Sequence, residues 1–236
     1  MAKKLTEDKL NEIMETGIRE FADRGYEAAN TNTIAHKAGI SVGVLFKYYG
    51  DKEGFFLACL RRSLDILECV LKTVVESEGK SLDRAESLFR AVIKFSREHG
   101  DHIRMYHMIT GGMGRELTGR LASEIEGMSA QVYRSYIAAA QAEGHIRDDI
   151  PPETAAFFFD NLLMMLQFTY SCDYYKQRLT MYTGISADDE ACDEAMIKSL
   201  LLFVDGALGT VGNGLDRSGN TAPHHSGTVR TVPYKT

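Results

Sequence analysis

Ser41, Gly43, Val44, Lys47 and Tyr48 fall within the run GISVGVLFKYYGDKEGFF, residues 39–56. A capping hydroxyl, a missing side chain, a small apolar group, an ammonium and a phenol are poor tools for breaking a bond. They suit the surface of DNA. Glycine admits close backbone approach, a valine can meet a thymine methyl, and tyrosine and lysine can reach phosphates. A helix starting at Ser41 would also turn its free N–H groups toward phosphates. The alternative is that this same face packs on another part of the protein.

Other residue types with chemical potential are scattered or weakly patterned. REHGDHIRMYH places Glu98, His99, Asp101, His102 and His107 close together, which could bring two or three metal ligands onto one helical surface. The plainer reading is solvated polar residues around a helix break at Gly100, and no metal or other cofactor is expected. Cys59, Cys69, Cys172 and Cys192 stand singly, without a C-x-x-C pair, and read as small apolar fillers. Phosphate-loop and His-Glu-x-x-His patterns are missing, so the chain is not read as an enzyme. With 44% hydrophobic and 25% charged residues over 236 positions, it has the composition of a globular protein with a real core. A net charge of -6 does not announce a nucleic-acid or membrane partner, so either must be sought locally. Neither a membrane span nor a signal peptide is legible, which points to the cytoplasm.

The elements that must position the reading surface are helices. Leu10, Ile13, Met14, Gly17, Ile18 and Phe21 form one apolar stripe that stops at Arg24-Gly25. Asn30 and Thr31 can cap a second, two-turn helix bearing Ile34, Ala35 and Ala38 and ending at Gly39. Ser41 can cap a third that runs through Tyr49 to Gly50-Asp51. At about 100° per residue, Leu45 and Tyr49 share a face that can pack on Phe21, Ile34 and Ala38, while Gly43, Val44 and Lys47 point the other way. Three short helices with a glycine turn between the last two form a helix-turn-helix pattern.

The run FADRGYEAANTNTIAHKAGISVGVLFKYYGDKEGFF closely resembles the DNA-binding region of the TetR family of bacterial transcriptional regulators. Phe21, Gly25, Tyr26, Thr33, Ile34, Ala35, Ala38, Gly39, Ser41, Gly43, Leu45, Tyr49, Lys52 and Glu53 stand at the recurring positions without a gap. The resemblance implies DNA contacts from Thr31, Asn32 and Thr33, from Ser41, Val42, Gly43, Val44, Phe46, Lys47 and Tyr48, and from Lys52. Thr31 and Lys52 would hold phosphates. The family often has Lys or Arg at the position of Val42, Thr or Ala at Val44, and a phosphate-contacting Tyr at Phe46. Residues 1–54 carry eight basic and nine acidic side chains, net -1. Modest non-specific affinity is therefore expected.

The expected architecture is all-α: a helix-turn-helix domain over 1–54, a helical ligand-binding and dimerisation domain over 55–212, and a disordered tail from 213. A long helix should start at Phe55, with others at about 81–99, 101–111, 115–143, 152–178 and 189–209. The family layout implies a homodimer through the last two long helices, loosely assigned to Phe158, Leu162, Met165, Thr169, Leu200, Phe203, Val204 and Ala207. It also implies a pocket for a hydrophobic or amphipathic effector. A Met- and aromatic-rich set suits that pocket: Phe95, Met105, Tyr106, Met108, Ile109, Tyr133, Ile137, Phe159, Met164, Phe168 and Tyr170, with Gln167 as an orienting polar group. The expected role is a homodimeric repressor released from palindromic operator DNA by that molecule. The alternatives are a helical ligand-binding or interaction protein with a weakened reading head, and a regulator that activates.

Overall fold

The computed structural model describes residues 5–75, 81–110 and 115–210, with side chains omitted in parts of four helices. Ten α-helices make up the described chain: α1 (Glu7–Ala28), α2 (Thr31–Lys37), α3 (Val42–Tyr49), α4 (Lys52–Val75), α5 (Ser81–Glu98), α6 (Gly100–Thr110), α7 (Arg115–Ala142), α8 (Pro152–Ser171), α9 (Asp173–Thr183) and α10 (Asp193–Leu208). A single 3-10 turn precedes α10, and one isolated antiparallel bridge joins Ile146 to Gly209.

Local chemistry sets the boundaries of the head. The Thr6 hydroxyl caps α1, whose helical backbone breaks at Gly25 with φ at 74°. Asn30 Oδ1 accepts the N–H groups of Asn32 and Thr33 at the start of α2, and Ser41 Oγ accepts that of Val44 at the start of α3. Asp51 Oδ1 accepts from Gly54 N–H at 2.8 Å, so α4 starts at Lys52, ahead of the expected Phe55. The expected boundary at 54/55 therefore falls inside the first turns of one continuous helix. Phe55, Phe56, Cys59 and Leu60 of that helix are fully buried among Phe21, Ile34 and Leu45 of the head.

The same core continues into the body through Phe95 of α5, Ile103 and Met105 of α6, and Phe168 of α8. A second core lies beyond it, where α5, α7, α8 and α10 bring together Phe89, Val92, Tyr133, Ile137, Phe159 and Ile197. The expected helix over 152–178 is two helices. Cys172 is extended (φ -116°, ψ 127°), and Tyr175 turns back to within 5.5 Å of the Phe168 ring. No glycine or proline marks this break, which comes from tertiary contacts. The tail expected from 213 lies outside the described residues.

α1 meets α4 at closest approach over Gly17. A Cβ there would stand 2.4 Å from Phe55 Cζ and 2.9 Å from Cys59 Sγ, both in fully buried side chains. Gly17→Ala is expected to destabilise the protein by about 1–3 kcal/mol through overpacking. Thermal unfolding followed by circular dichroism checks this, at about 2–4 °C of Tm per kcal/mol.

Candidate nucleic-acid interface

α3 buries Leu45 completely and presents Ser41, Gly43 and Lys47 to solvent, with Val42, Val44 and Tyr48 half-buried. Tyr49 packs at the edge of the core, its ring 4.8 Å from that of Phe55. Phe46 is half-buried against the same core and so offers only part of its ring to a groove. Thr31, Asn32 and Thr33 form the first turn of α2, next to the Asn30 cap. Ser41, Gly43, Val44 and Lys47 thus share the outer side of the helix-turn-helix unit.

Lys52, implied to hold a phosphate, and Tyr48, read as able to reach one, both have partners within the protein. Lys52 Nζ donates to the Glu27 carbonyl at 3.0 Å and lies 5.0 Å from the centroid of the Tyr26 ring. It ties the end of α1 to the start of α4, with two ammonium donors to spare. Tyr48 Oη accepts the Leu5 N–H at 2.8 Å, a bond across the whole head that sequence reading did not find.

The remaining cations of the head are largely engaged. Glu20, only 3% exposed, has Lys37 Nζ at 2.9 Å and Arg24 Nε at 3.0 Å. The Arg24 contact is ionic but poorly aligned, since Glu20 Oε1 takes no hydrogen bond. Lys9 pairs with Glu12, and Arg19 faces Asp101 of α6. Lys47 has no partner among the described residues. It is the head's uncommitted charge on the reading helix.

Gly39-Ile40-Ser41-Val42-Gly43 spells a Gly-x-Ser-x-Gly nucleophile elbow, a match that sequence reading overlooked. An elbow needs a strand-to-helix turn that exposes the serine. Here helices stand on both sides and Ser41 Oγ is taken up as a cap at 3.3 Å from Val44 N, so the letters carry no nucleophile.

Behind the head, three helices meet on one buried polar group. His102 of α6 places Nδ1 3.0 Å from Ser63 Oγ on α4 and Nε2 3.2 Å from Glu15 Oε2 on α1. Glu15 also accepts from Arg62 Nε at 2.7 Å, and Arg62 reaches Asn11 at 3.2 Å. Burial lowers the His102 pKa below the ordinary histidine value, opposed by the Glu15 carboxylate and helped by the neighbouring His99. The other residues of the Glu98–His107 cluster have different surroundings. His107 stacks 4.5 Å from Phe168, and Asp101 pairs with Arg104. Among the described residues no three such groups converge as metal ligands.

The residues assigned to an effector pocket divide between the two cores. Phe95, Met105, Tyr106 and Phe168 lie in the core shared with the head, and Met108 and Met164 lie at its margin. Tyr133, Ile137, Phe159 and Tyr170 belong to the body core. Gln167 is buried, and the Ile109 side chain lies outside those described. A separate groove of about 580 Å³ runs between α1 and α4, lined by Leu10, Met14, Leu57, Arg61, Asp65 and Ile66, and none of the expected pocket residues reaches it. Of the residues assigned to a dimer face, Phe158, Met165, Phe203 and Ala207 are exposed, and Leu162, Thr169 and Leu200 are half-buried. Val204 instead packs into the body core. Phe157 and Leu202, exposed beside this set, were missed because apolar residues occupy nearly every side of these helices.

A capped three-helix head with an exposed reading helix, on a helical body, defines a helix-turn-helix DNA-binding protein. Residues 13–59 match the family described as bacterial regulatory proteins, tetR family. The HTH-type transcriptional repressor KstR2 of Mycobacterium tuberculosis is 28% identical over 147 residues, which is 59% of this chain and 70% of that protein. The HTH-type transcriptional regulator RutR of Escherichia coli O157:H7 is 30% identical over 52% of this chain and 60% of its own. The fold resembles that of AibR, crystallised with isovaleryl coenzyme A and operator DNA, with a TM-score of 0.63 at 18% identity over 83% of this chain and 97% of that one. Over residues 13–59 the chain therefore carries the DNA-binding region of the TetR family of transcriptional regulators. No described helix is long and apolar enough to cross a membrane.

Lys47→Gln should weaken DNA binding and reduce the slope of log K against log salt by about 0.9 per engaged head. Lys37→Gln should leave that slope nearly unchanged and lower stability by about 1–3 kcal/mol, because it strips a partner from buried Glu20. Anisotropy titrations and thermal melts separate the two. For His102 the sign follows from its lowered pKa. The unfolded chain takes up the proton first, so the fold loses stability as pH falls below about 6.5. Melts at about pH 7.5 and 5.5 should show that loss in the parent and a smaller one in His102→Gln.

Proposed function

We propose that the protein acts as a homodimeric repressor that occupies a near-palindromic operator and leaves it when a hydrophobic or amphipathic small molecule binds the body. One observation supports the pairing most directly. Phe157 and Phe158 of α8 and Phe203 of α10 stand 63, 59 and 64% exposed, while the inner faces of both helices lie against α5. Burying a side chain of this kind is worth about 1.5–3 kcal/mol, and an isologous contact buries each one twice. A dimer built on α8 and α10 carries two reading helices, which a palindrome read one helical turn apart requires at about 34–36 Å.

The relatives support the rest. KstR2 is named a repressor, and AibR is a protein of this fold seen with both an acyl thioester and operator DNA. An acyl thioester is amphipathic, in keeping with a body rich in Met and aromatic residues. Reversing occupancy from 99:1 to 1:99 asks the ligand for about 5.5 kcal/mol of preference between conformers. The coupling is reciprocal, so DNA must weaken ligand binding equally.

The test is anisotropy of a labelled duplex from immediately upstream of the protein's own gene, with and without isovaleryl coenzyme A, alongside light scattering. The parent should be dimeric and bind tightly. Phe158→Glu/Phe203→Glu should be monomeric and bind at least about 100-fold more weakly, since one head loses the second half-site. A variant that stays dimeric with unchanged binding would overturn the assigned interface, and a ligand that binds equally with and without DNA would overturn release.

A further inference from the structure

α3 is short of groups that read a base by paired hydrogen bonds. Its eight residues, Val42–Tyr49, include no Arg, Asn, Gln, Asp or Glu, the side chains best suited to the polar edges of guanine, adenine and cytosine. Ser41 Oγ is taken up as the helix cap, Tyr48 Oη accepts from Leu5, and Phe46 leans on the head core. Asn32 stands on α2, which in this motif crosses the DNA backbone. The outer side of α3 is left with Lys47, a flexible point charge, and the isopropyl group of half-buried Val44.

Gly43 bears on the same surface. It lies within α3 without a positive φ, and a Cβ there would meet nothing nearer than Ser41 Oγ at 3.9 Å. The fold has room for a side chain at this point, and glycine inside a helix lowers stability. What the missing side chain provides is close approach of the backbone, beside Val44, to a surface outside the protein. In the major groove, thymine is the base that carries an apolar group on its edge, the C5-methyl. We propose that Gly43 and Val44 form a thymine-methyl reader: Gly43 admits the helix to the groove, and the Val44 isopropyl group packs on the methyl. Each half-site then holds a thymine beneath the start of α3. The proposal deepens the DNA-binding reading above and rests on it.

Duplexes of about 30 base pairs, long enough for two half-sites, are enriched by the protein from a random pool and remade with deoxyuridine in place of thymidine, which removes the C5-methyl alone. Burying one methyl is worth about 4-fold in affinity, so the parent should lose about 4-fold per engaged head and about 15-fold with two heads engaged. Val44→Ser should lose no more than about 2-fold on the same exchange, and Val44→Ala, which keeps one methyl, should fall between. Gly43→Ala should melt no lower than the parent, yet bind the thymidine duplex more weakly and show a smaller deoxyuridine penalty. Equal binding of both duplexes by the parent would overturn methyl reading and leave DNA binding intact. A penalty of full size in both Val44 variants would overturn the assignment to Val44, and unchanged binding by Gly43→Ala would overturn the close approach. A parent that enriches no sequence from the pool would instead overturn the DNA-binding reading itself.

Discussion

The architecture depends on how closely α1 can lie against α4. Gly17 has no side chain where Phe55 and Cys59 fill the space, so the first helix of the head rests directly on the helix that leads into the body. Everything else at the junction uses that approach. It brings Glu15 within reach of both Arg62 on α4 and His102 on α6, and it lets Phe21 meet Phe55 and Phe56 at ring distances of 5.9 and 5.0 Å. Packed cores deform poorly, so a displacement of α6 in the body is felt by α1. The polar members make the contact specific as well as tight: a buried imidazole between a carboxylate and a serine hydroxyl fits one register of three helices and leaves unpaired groups in others.

The same acidic side chains that organise the head limit its grip on DNA. Glu20 and Glu12 each use a lysine that would otherwise be free for phosphates, and Lys52 is spent on joining α1 to α4. The outer side of α3 offers Val42 and Val44 where polar contacts would add affinity for any sequence. Among the described residues, the outer side of α3 therefore offers more apolar and backbone surface than uncommitted charge.

Much of the head was legible because its boundaries are local chemistry. Asn30 and Ser41 cap by bonds to residues two or three positions on, and Gly25, Gly39 and Gly50 occupy positive-φ conformations that few other residues adopt. The face of α3 followed from 100° steps once Leu45 was placed inward. The rest was hidden because it is non-local. Nothing in FTYSCDYY forecasts a break at Cys172, which depends on Tyr175 packing back on Phe168. The Leu5–Tyr48 and His102–Glu15 bonds join residues 43 and 87 positions apart, and no periodicity encodes such a pairing. On α8 and α10, apolar residues on every side left Val204 and Phe203 indistinguishable until α5 was in place.

Geometry makes this junction a sensitive lever. Only Gly50 and Asp51 separate α3 from α4, and the 24 residues of α4 form a rod of about 36 Å. A tilt of about 5° at its body end displaces the other end by about 3 Å, and the reading helix moves with it because Tyr49 and Phe55 are packed ring to ring. That displacement is comparable to a full base-pair rise of about 3.4 Å, while hydrogen bonds to phosphates and base edges tolerate a few tenths of an ångström. In the proposed dimer the error enters twice, since both heads must fit grooves at a fixed separation. A small rearrangement around Phe168 and Met105, where the body's side chains enter the head's own core, is therefore enough to separate a fitting conformer from a non-fitting one without unfolding any helix.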